Sequence, residues 1–186
     1  MRSLFQDVRY VFLDRDGVIN RKAPEGEYVG HWREFELLPG SEEAIAALNR
    51  SGRRVLVVTN QRGIALGLYG VSDLHEIHAE LQRHLAAHGA HIDAFYYCPH
   101  DKNQCNCRKP MTGLFEQALR DFPEVGAGGS VVIGDSVSDI EFARNLTLPS
   151  IFIRGDSETQ NPDTKRAAAL ADATAVSLFD AVERYL

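Results

Sequence analysis

Short, largely apolar runs alternate with longer amphipathic segments along this chain, and no other feature restricts its fold as much. Each run holds four to six residues, and the runs cover positions 10–13, 54–59, 94–97, 130–133 and 150–153. Apolar runs of this length are typical of parallel strands that are buried on both faces. The pattern therefore predicts a parallel sheet with helices on both sides.

Helix-forming segments lie between the runs. Ser41 is followed by two acidic residues, a combination that suits a helix N-terminus. Further helices are expected to begin at 72–73, 112–113, 138–139 and 177. Strand and helix thus alternate five times, which indicates a doubly wound, Rossmann-like α/β fold in a single domain spanning residues 1–186. The polar stretch 155–165 is expected to form a surface loop.

Composition excludes several classes of function. The 186 residues include 20 Lys and Arg against 26 Asp and Glu, so the formal net charge is −6, whereas general nucleic-acid binders are usually basic. No apolar stretch reaches the roughly 18 residues that a membrane span needs. Asp7 and Arg9 interrupt the N-terminal segment, so no signal peptide is expected. We therefore expect a cytoplasmic protein without a nucleic-acid or membrane partner.

Carboxylates or a threonine stand at the ends of three of the predicted strands. They are, in chain order, Asp14 and Asp16, Thr59, and Asp135. Ligands of open α/β sheets bind beyond the carboxyl ends of the strands. Two aspartates at positions i and i+2 can divide the chemistry between a nucleophile that also binds metal and a group that gives and takes a proton. A third carboxylate from a neighbouring strand would complete an oxygen-rich site for Mg²⁺.

The Asp16-Gly17 pair has a simpler interpretation by itself, because Asp-Gly is common in turns after strands. Two further features favour a functional site. Thr59 stands at the matching end of another strand, and a second acidic motif, GDSVSD, begins at Gly134.

Cysteine use indicates a metal rather than disulfides. The three cysteines lie within ten positions, with a histidine among them, in the pattern C-x-H-x4-C-x-C. Three thiolates and one imidazole form a complete tetrahedral shell for structural Zn²⁺, which leaves no open position for chemistry. The polar loop has no core of its own, so metal binding would supply its folding energy. The alternative is a free thiol beside a chance cysteine pair. In this zinc loop, residues 98–110, the candidate ligands are Cys98, His100, Cys105 and Cys107.

Four motifs resemble a known family. LDRDGVIN, VVTNQRGIA, CRKP and IGDSVSD occur in this order and are similar to the motifs of the haloacid dehalogenase (HAD) superfamily of Mg²⁺-dependent phosphohydrolases. More narrowly, DRDGVIN together with CPHDKNQCNCRKP resembles the group of D-glycero-D-manno-heptose 1,7-bisphosphate phosphatases and histidinol phosphatases. The resemblance covers residues 10–155 and implies a HAD-like fold.

The resemblance implies a role for each of four residues. Asp14 attacks phosphorus and forms an aspartyl-phosphate. Asp16 protonates the leaving oxygen and then activates the water that hydrolyses the intermediate. Thr59 holds the phosphoryl oxygens, and Lys109 neutralises the charge that develops on them. Elementary electrostatics agrees, because an aspartate that attacks a phosphate dianion needs positive charge beside it.

The resemblance also implies the metal and substrate contacts. Asp14, the Asp16 carbonyl and Asp135 bind Mg²⁺. Asp139 supports that site without binding the ion itself. Basic residues in the adjacent loops suit an anionic substrate on an acidic protein. Arg108 is the expected substrate-selecting residue, because its planar guanidinium can hold a second phosphate or two sugar hydroxyls. The expected substrate contacts are Asn60, Gln61, Arg62 and Arg108.

The expected function is Mg²⁺-dependent hydrolysis of a small sugar phosphate. The leading substrate is D-glycero-D-manno-heptose 1,7-bisphosphate, which would lose its C7 phosphate. The alternatives are histidinol phosphate or another sugar phosphate. An open site could also admit a DNA 3′-phosphate, although the net charge of −6 argues against this. A protein of another class, a catalytically silent zinc-stabilised binding module, is disfavoured because the whole set is present: Asp14, Asp16, Thr59, Lys109 and Asp135.

The intervals between motifs leave no room for a cap domain, so loops are expected to shape the site of a monomer. These loops are Asn20–Pro39, Gln61–Val71 and the zinc loop. Three features depart from the usual family pattern and bear on the substrate rather than on the chemistry. Ser136 stands where a basic residue is usual, the first loop is long and carries Lys22 and Trp32, and the zinc loop is short. Trp32 could cover a sugar or pack its loop onto the body.

Histidines crowd the second predicted helix and its exit, at positions 75, 78, 84, 88 and 91. His75 and His78 share one helix face with Glu76 and Glu80 nearby, which would allow a second metal site. The simpler interpretation, which we favour, is a solvated helix face.

Overall fold

The apolar runs become the strands of one sheet in the computed structural model, which describes residues 5–155 and 162–186. In these ranges the strands are β1 (Tyr10–Leu13), β2 (Arg54–Asn60), β3 (Ala94–Cys98), β4 (Ser130–Gly134), β5 (Ser150–Ile153) and β6 (Ala173–Ala175). Neighbouring strands are parallel, and their order is β3-β2-β1-β4-β5-β6. This confirms the predicted doubly wound parallel sheet.

Helices fill most of the connections between strands. They are α1 (Ser41–Arg50), α2 (Val71–Ala87), α3 (Gly113–Asp121), α4 (Val137–Asn145), α5 (Pro162–Leu170) and α6 (Leu178–Tyr185), with short 3-10 turns at Trp32–Glu34 and Pro123–Ala127. None of the helices in the described ranges is long and apolar enough to cross a membrane.

Both faces of the sheet are buried, because successive strand residues point to opposite sides. Val11 and Leu13 of β1 pack in a cluster with residues of α1, α2 and α6. Tyr10 and Phe12 of the same strand pack in a second cluster with α3 and α4. A smaller cluster around Phe152 joins α4 and α5 to β5. Strands β1, β4 and β5 are consequently buried along their whole length.

The strand register brings three strand ends to one edge of the sheet. Leu13, the last residue of β1, is aligned with Val57 of β2 and with Ile133 of β4. The strand order reverses between β1 and β4, and open α/β sheets bind ligands at such a switch point. Asp14 and Asp135 leave the sheet on either side of it. The topology therefore places both predicted acids where a ligand would bind.

The connections around this edge carry no cap domain in the described parts of the chain, as predicted. The segment from β1 to β2 contains a 3-10 turn and α1, and the segment from β2 to β3 contains α2. Loops therefore cover this edge of the sheet.

Several local predictions need correction. The predicted loop 155–165 is wrong in its last part, because residues 162–165 begin α5; residues 156–161 lie outside the described residues. Strand β6 was not predicted, because its sequence Ala-Thr-Ala contains no apolar run. Helices α2 and α4 each begin one residue before the predicted positions 72 and 138. For α4 the reason is that Ser136, and not Ser138, is the N-cap residue.

Candidate active site

Two aspartates approach each other across the switch point. Asp14 directly follows β1, and Asp135 directly follows β4. Gly17 makes this approach possible: it has a φ of 92°, and a Cβ at its position would overlap the Asp135 carboxylate. The Asp-Gly pair is therefore more than turn chemistry, because the glycine leaves space for an acid from another strand.

Lys109 lies at the centre of the site and is 3% exposed. Its Nζ donates to Oδ1 of Asp14 (3.0 Å), to Oδ1 of Asp139 (2.5 Å) and to the Val58 carbonyl (2.7 Å). Burial would lower the pKa of Lys109, but the negative charges of Asp139 and Asp14 outweigh it and raise the pKa. The ammonium group thus stays charged, with all its protons directed at fixed acceptors.

Asp139, in the first turn of α4, holds the Lys109 ammonium group in place. Its Oδ2 accepts hydrogen bonds from the backbone N–H (3.0 Å) and the Oγ (2.6 Å) of Ser136, while its Oδ1 faces Lys109. Ser136, the N-cap residue of α4, therefore fixes the Asp139 carboxylate.

Negative charge accumulates where the strands end. Oxygens of Asp14, Asp135 and Asp139 lie within 4.8 Å of one another. Burial raises the pKa of Asp14 to about 7; Lys109 opposes this shift, and the other carboxylates reinforce it. Burial also raises the pKa of Asp135, although Lys22 counteracts it. One oxygen of Asp135, Oδ1, is buried without a hydrogen-bond partner. This set of hard oxygen donors suits a divalent cation such as Mg²⁺.

The side chain of Asp16 is held apart from that cluster. Nη2 of Arg15 donates to both of its oxygens at 3.0 Å, and amide groups of Asn20 and Gln61 donate at 2.9 Å. Burial would raise the pKa of Asp16, but Arg15 and these hydrogen bonds lower it below its usual value. The carboxylate is therefore ionised and oriented.

The end of β2 is tied to Lys109, near the end of the zinc loop. Thr59 is buried and accepts a hydrogen bond from Nε2 of Gln61 (2.9 Å). The Asn60 side chain accepts from the backbone N–H of Lys109 (3.0 Å) and donates to its carbonyl (3.2 Å). Tyr69 donates to Gln61 at 2.5 Å. Asn60 and Gln61, both predicted substrate contacts, are thus also structural connections.

A cavity of about 540 Å³ opens above these groups. Asp14 and Asp16 line it, together with residues 22–29, residues 59–62, and Lys102 and Arg108 of the zinc loop. All four predicted substrate contacts therefore line the same cavity.

The side chains around the cavity are partly held in place. Arg62 donates to Asp101 at 2.5 Å and so connects the loop after β2 to the zinc loop.

Trp32 does not line the cavity; it stacks on Phe35 and packs against the core, so the packing interpretation of this residue is confirmed.

The four predicted zinc ligands converge. The Sγ of Cys105 lies 3.5 Å from that of Cys98 and 3.3 Å from that of Cys107. Nδ1 of His100 lies 3.7 Å from Cys98 Sγ and 3.3 Å from Cys107 Sγ. Tetrahedral Zn²⁺ with its usual bond lengths would set such atoms about 3.4–3.8 Å apart. The cluster therefore fits a zinc ion in size as well as in ligand type.

Three contacts at the site could not be predicted from the sequence. Lys22 donates to Oδ2 of Asp135 at 2.8 Å, although 113 positions separate them. Arg15, fully buried, binds Asp16, and Asp139 touches Lys109 directly. The only available signal was that Arg15 and Lys22 are basic residues beside a predicted site.

The histidine pair on α2 does not form a metal site in the described residues. His78 is 6% exposed and stacks on Phe95, with ring centroids 4.3 Å apart. His75 is exposed and contacts the hydroxyl of Tyr97. The solvated-face interpretation is therefore wrong for His78, which is part of the packing between α2 and β3.

Comparison with known proteins agrees with this geometry. Residues 106–181 match the family model described as HAD-hydrolase-like. D-glycero-alpha-D-manno-heptose-1,7-bisphosphate 7-phosphatase of Mycobacterium tuberculosis is 47% identical over 137 residues, which are 73% of this chain and 72% of that protein. D-glycero-beta-D-manno-heptose-1,7-bisphosphate 7-phosphatase of Vibrio cholerae is 37% identical over 185 residues, 95% of each chain.

Solved structures of similar proteins share the fold. D,D-heptose 1,7-bisphosphate phosphatase of B. bronchiseptica, complexed with magnesium and phosphate, matches 95% of this chain and 97% of its own with a TM-score of 0.81 and 30% identity. The enzyme of the same name from Burkholderia thailandensis matches 94% of this chain and 96% of its own, with a TM-score of 0.65 and 29% identity.

Proposed function

The chain belongs to the D-glycero-D-manno-heptose-1,7-bisphosphate 7-phosphatase family of HAD-like hydrolases, and on that premise we propose that it removes the C7 phosphate of D-glycero-D-manno-heptose 1,7-bisphosphate with the help of Mg²⁺. The observation that carries the proposal is the convergence of Asp14, Asp135 and the buried Lys109 beneath a cavity bordered by basic side chains.

Asp14 is the nucleophile. Its carboxylate oxygen attacks phosphorus, an Asp14–phosphate bond forms, and the bond between phosphorus and the sugar oxygen breaks. Lys109 contacts this carboxylate and stabilises the negative charge that develops on the phosphoryl group. Thr59, at the end of β2, holds the phosphoryl oxygens. Water then hydrolyses the aspartyl-phosphate and releases inorganic phosphate.

Asp16 moves the proton. Its ionised state suits the second step, in which a carboxylate takes a proton from the attacking water. The first step needs a protonated Asp16, which donates to the departing sugar oxygen. A phosphate dianion arriving in the cavity raises the pKa of a neighbouring carboxylate by like-charge repulsion, and this favours the protonated form.

The Mg²⁺ ion would be held by Asp14, Asp135 and the Asp16 carbonyl. The unpartnered Oδ1 of Asp135 and the excess of carboxylates fit this assignment. When bound, the ion neutralises charge on the phosphoryl oxygens and reduces their repulsion of Asp14. Lys22 occupies the other oxygen of Asp135 and supplies positive charge at a site where Ser136 provides none.

A structural Zn²⁺ would hold the zinc loop closed through Cys98, His100, Cys105 and Cys107. Their spacing supports this proposal, because the ligand atoms already stand at tetrahedral distances. Arg108 and Lys109 follow the last ligand directly. The ion would therefore act by positioning these two residues rather than by taking part in the reaction.

The cavity supports a bisphosphate over histidinol phosphate. Four basic residues line the cavity. Its acidic lining residues are the catalytic Asp14 and Asp16, together with Glu25 and Glu27. Apart from the two catalytic aspartates, the lining thus has two more basic than acidic residues, which suits a second phosphate better than the cationic amine of histidinol phosphate. We assign its recognition to Arg108, with Asn60, Gln61 and Arg62 around it. The four basic residues are Lys22, Arg62, Lys102 and Arg108.

The alpha anomer is the proposed form of the substrate. The Mycobacterium tuberculosis relative, 47% identical, is named for the alpha anomer, and the Vibrio cholerae relative, 37% identical, for the beta anomer.

We further propose a monomeric single domain, residues 1–186, that acts in the cytoplasm on a small molecule, without nucleic-acid or membrane partners. The net charge of −6 supports the small anionic substrate over DNA.

Phosphate release by an Asp14→Asn variant tests the mechanism. The amide cannot attack phosphorus, so we expect kcat to fall by at least about 10⁴-fold, with the fold retained. Asp7→Asn, a change at an exposed carboxylate just before β1, is the matched control. If Asp14→Asn kept a substantial fraction of wild-type activity, the nucleophile would have to be another residue.

A further inference from the structure

A cluster outside the active site joins α1 to α2. Glu42 lies in the first turn of α1, and His84 and His88 lie one turn apart near the end of α2. Nε2 of His84 is 2.7 Å from Oε1 of Glu42, and Nδ1 of His88 is 3.5 Å from Oε2. The three candidate ligand atoms lie within 4.8 Å of one another.

The chemistry of this cluster differs from that of the magnesium site. Two imidazoles and one carboxylate suit Zn²⁺, Ni²⁺ or Cu²⁺, whereas Mg²⁺ prefers oxygen ligands alone. Three protein ligands leave a further coordination position for water. The side chains of Glu42, His84 and His88 are 23%, 35% and 50% exposed, so an ion can enter from solvent.

The existing contacts hold the cluster together before an ion arrives. The two histidine rings lie 4.7 Å apart, centroid to centroid, and Nδ1 of His88 also contacts the His84 carbonyl at 2.9 Å. Each oxygen of the Glu42 carboxylate faces a different ring. An ion pair with Glu42 involves only one histidine ring, whereas metal chelation by this cluster requires both rings. Half-exposed His88 can rotate to present a ring nitrogen to the ion.

We propose that Glu42, His84 and His88 form a second metal site, which binds a divalent transition-metal ion of the Zn²⁺, Ni²⁺ and Cu²⁺ class and cross-links α1 to α2. Residues of both helices belong to the same core cluster, so the cross-link joins two elements that share one core. An ion that binds only the folded state must stabilise it.

Trp32 provides a reporter for this site. It is the only tryptophan in the chain, and its ring centroid lies 6.5 Å from that of His84. A paramagnetic ion bound to His84 would quench tryptophan fluorescence at this distance, whereas an ion in the zinc loop would not bind a neighbour of Trp32.

The experiment titrates Ni²⁺ into protein whose zinc loop is loaded with zinc and whose buffer contains Mg²⁺. We expect saturable quenching of Trp32 fluorescence that EDTA reverses. Glu42→Gln and His88→Gln should each weaken the apparent Kd by at least about tenfold, because each removes one ligand but leaves Trp32 and His84 in place. His91→Gln, a change at an exposed histidine beyond α2, is the matched control and should bind Ni²⁺ like the wild type.

Thermal unfolding gives a second, independent readout. Ni²⁺ or Zn²⁺ should raise the Tm of the wild type and of His91→Gln, and at the same metal concentration it should raise the Tm of the two cluster variants less. Metal-free Tm values show whether each variant folds, and either variant suffices if the other does not. The proposal is overturned if Ni²⁺ quenches no more than Mg²⁺ does, or if quenching and the Tm shift are the same in folded Glu42→Gln or His88→Gln.

Discussion

Lys109 connects residues that lie far apart in the chain. Its ammonium group contacts Asp14 after β1, the Val58 carbonyl in β2 and Asp139 in α4. Asp139 does not line the cavity, yet it accepts one of the three hydrogen bonds that fix the ammonium. We therefore regard Asp139 as a positioning residue, which acts on the reaction through Lys109.

Asp139→Asn should separate positioning from binding. The amide keeps the shape of the side chain but removes the charge that holds Lys109, so we expect kcat to fall about 100-fold while KM changes less than about threefold. Steady-state kinetics measure both parameters. Glu141→Gln is the control, because Glu141 lies on the same helix and pairs with Arg166 at the surface. An unchanged kcat in Asp139→Asn would contradict the positioning role.

At the scale of elements, the central strands and the residues at their ends could be predicted, because burial on both faces makes a strand apolar and a strand end carries the ligand-binding residues. Strand β6 and helix α5 could not, since a short edge strand leaves no apolar run and the first turn of α5 is polar. Side-chain pairs such as Lys22 with Asp135 depend on loop paths that periodicity does not describe.

The zinc loop is the element whose order should depend on a metal. Removal of zinc by a chelator should open residues 98–110 to proteolysis and lower kcat about tenfold or more, because Arg108 and Lys109 lose their fixed positions. Limited proteolysis and activity are measured on the same samples, with about one zinc per chain expected before chelation. Cys105→Ser should reproduce the effect without a chelator, which distinguishes loss of zinc from loss of Mg²⁺. If the loop stayed protease-resistant and kcat unchanged after zinc removal, this role would be wrong.

At the scale of the whole molecule, stability should depend on pH through His78. Burial lowers the pKa of His78 to about 3 from the ordinary 6.5, and the Arg15 charge adds to the shift. Below pH 6.5 the unfolded chain therefore binds a proton that the folded protein rejects. His78 therefore costs the folded state nothing above pH 6.5, and it destabilises the folded state progressively as the pH falls from 6.5 towards 3.

Denaturant unfolding of His78→Phe tests this dependence. Phenylalanine can keep the stacking on Phe95 but does not titrate. Between pH 7 and pH 5 the free energy of unfolding should fall by about 2 kcal/mol more in the wild type than in the variant. His75→Gln, at an exposed position on the same helix, should behave like the wild type. Equal pH dependence in wild type and His78→Phe would show that His78 is not responsible.

The family, the fold and the site geometry lead to one central claim, that this chain is a Mg²⁺-dependent phosphatase of a sugar bisphosphate. Its most direct test is phosphate release from alpha- and beta-anomers of D-glycero-D-manno-heptose 1,7-bisphosphate and from histidinol phosphate, each with Mg²⁺ and with EDTA. We predict a kcat/KM at least about 100-fold higher for the alpha bisphosphate than for histidinol phosphate, a smaller advantage over the beta anomer, and no release with EDTA. Preference for histidinol phosphate, or release that does not need Mg²⁺, would contradict the account.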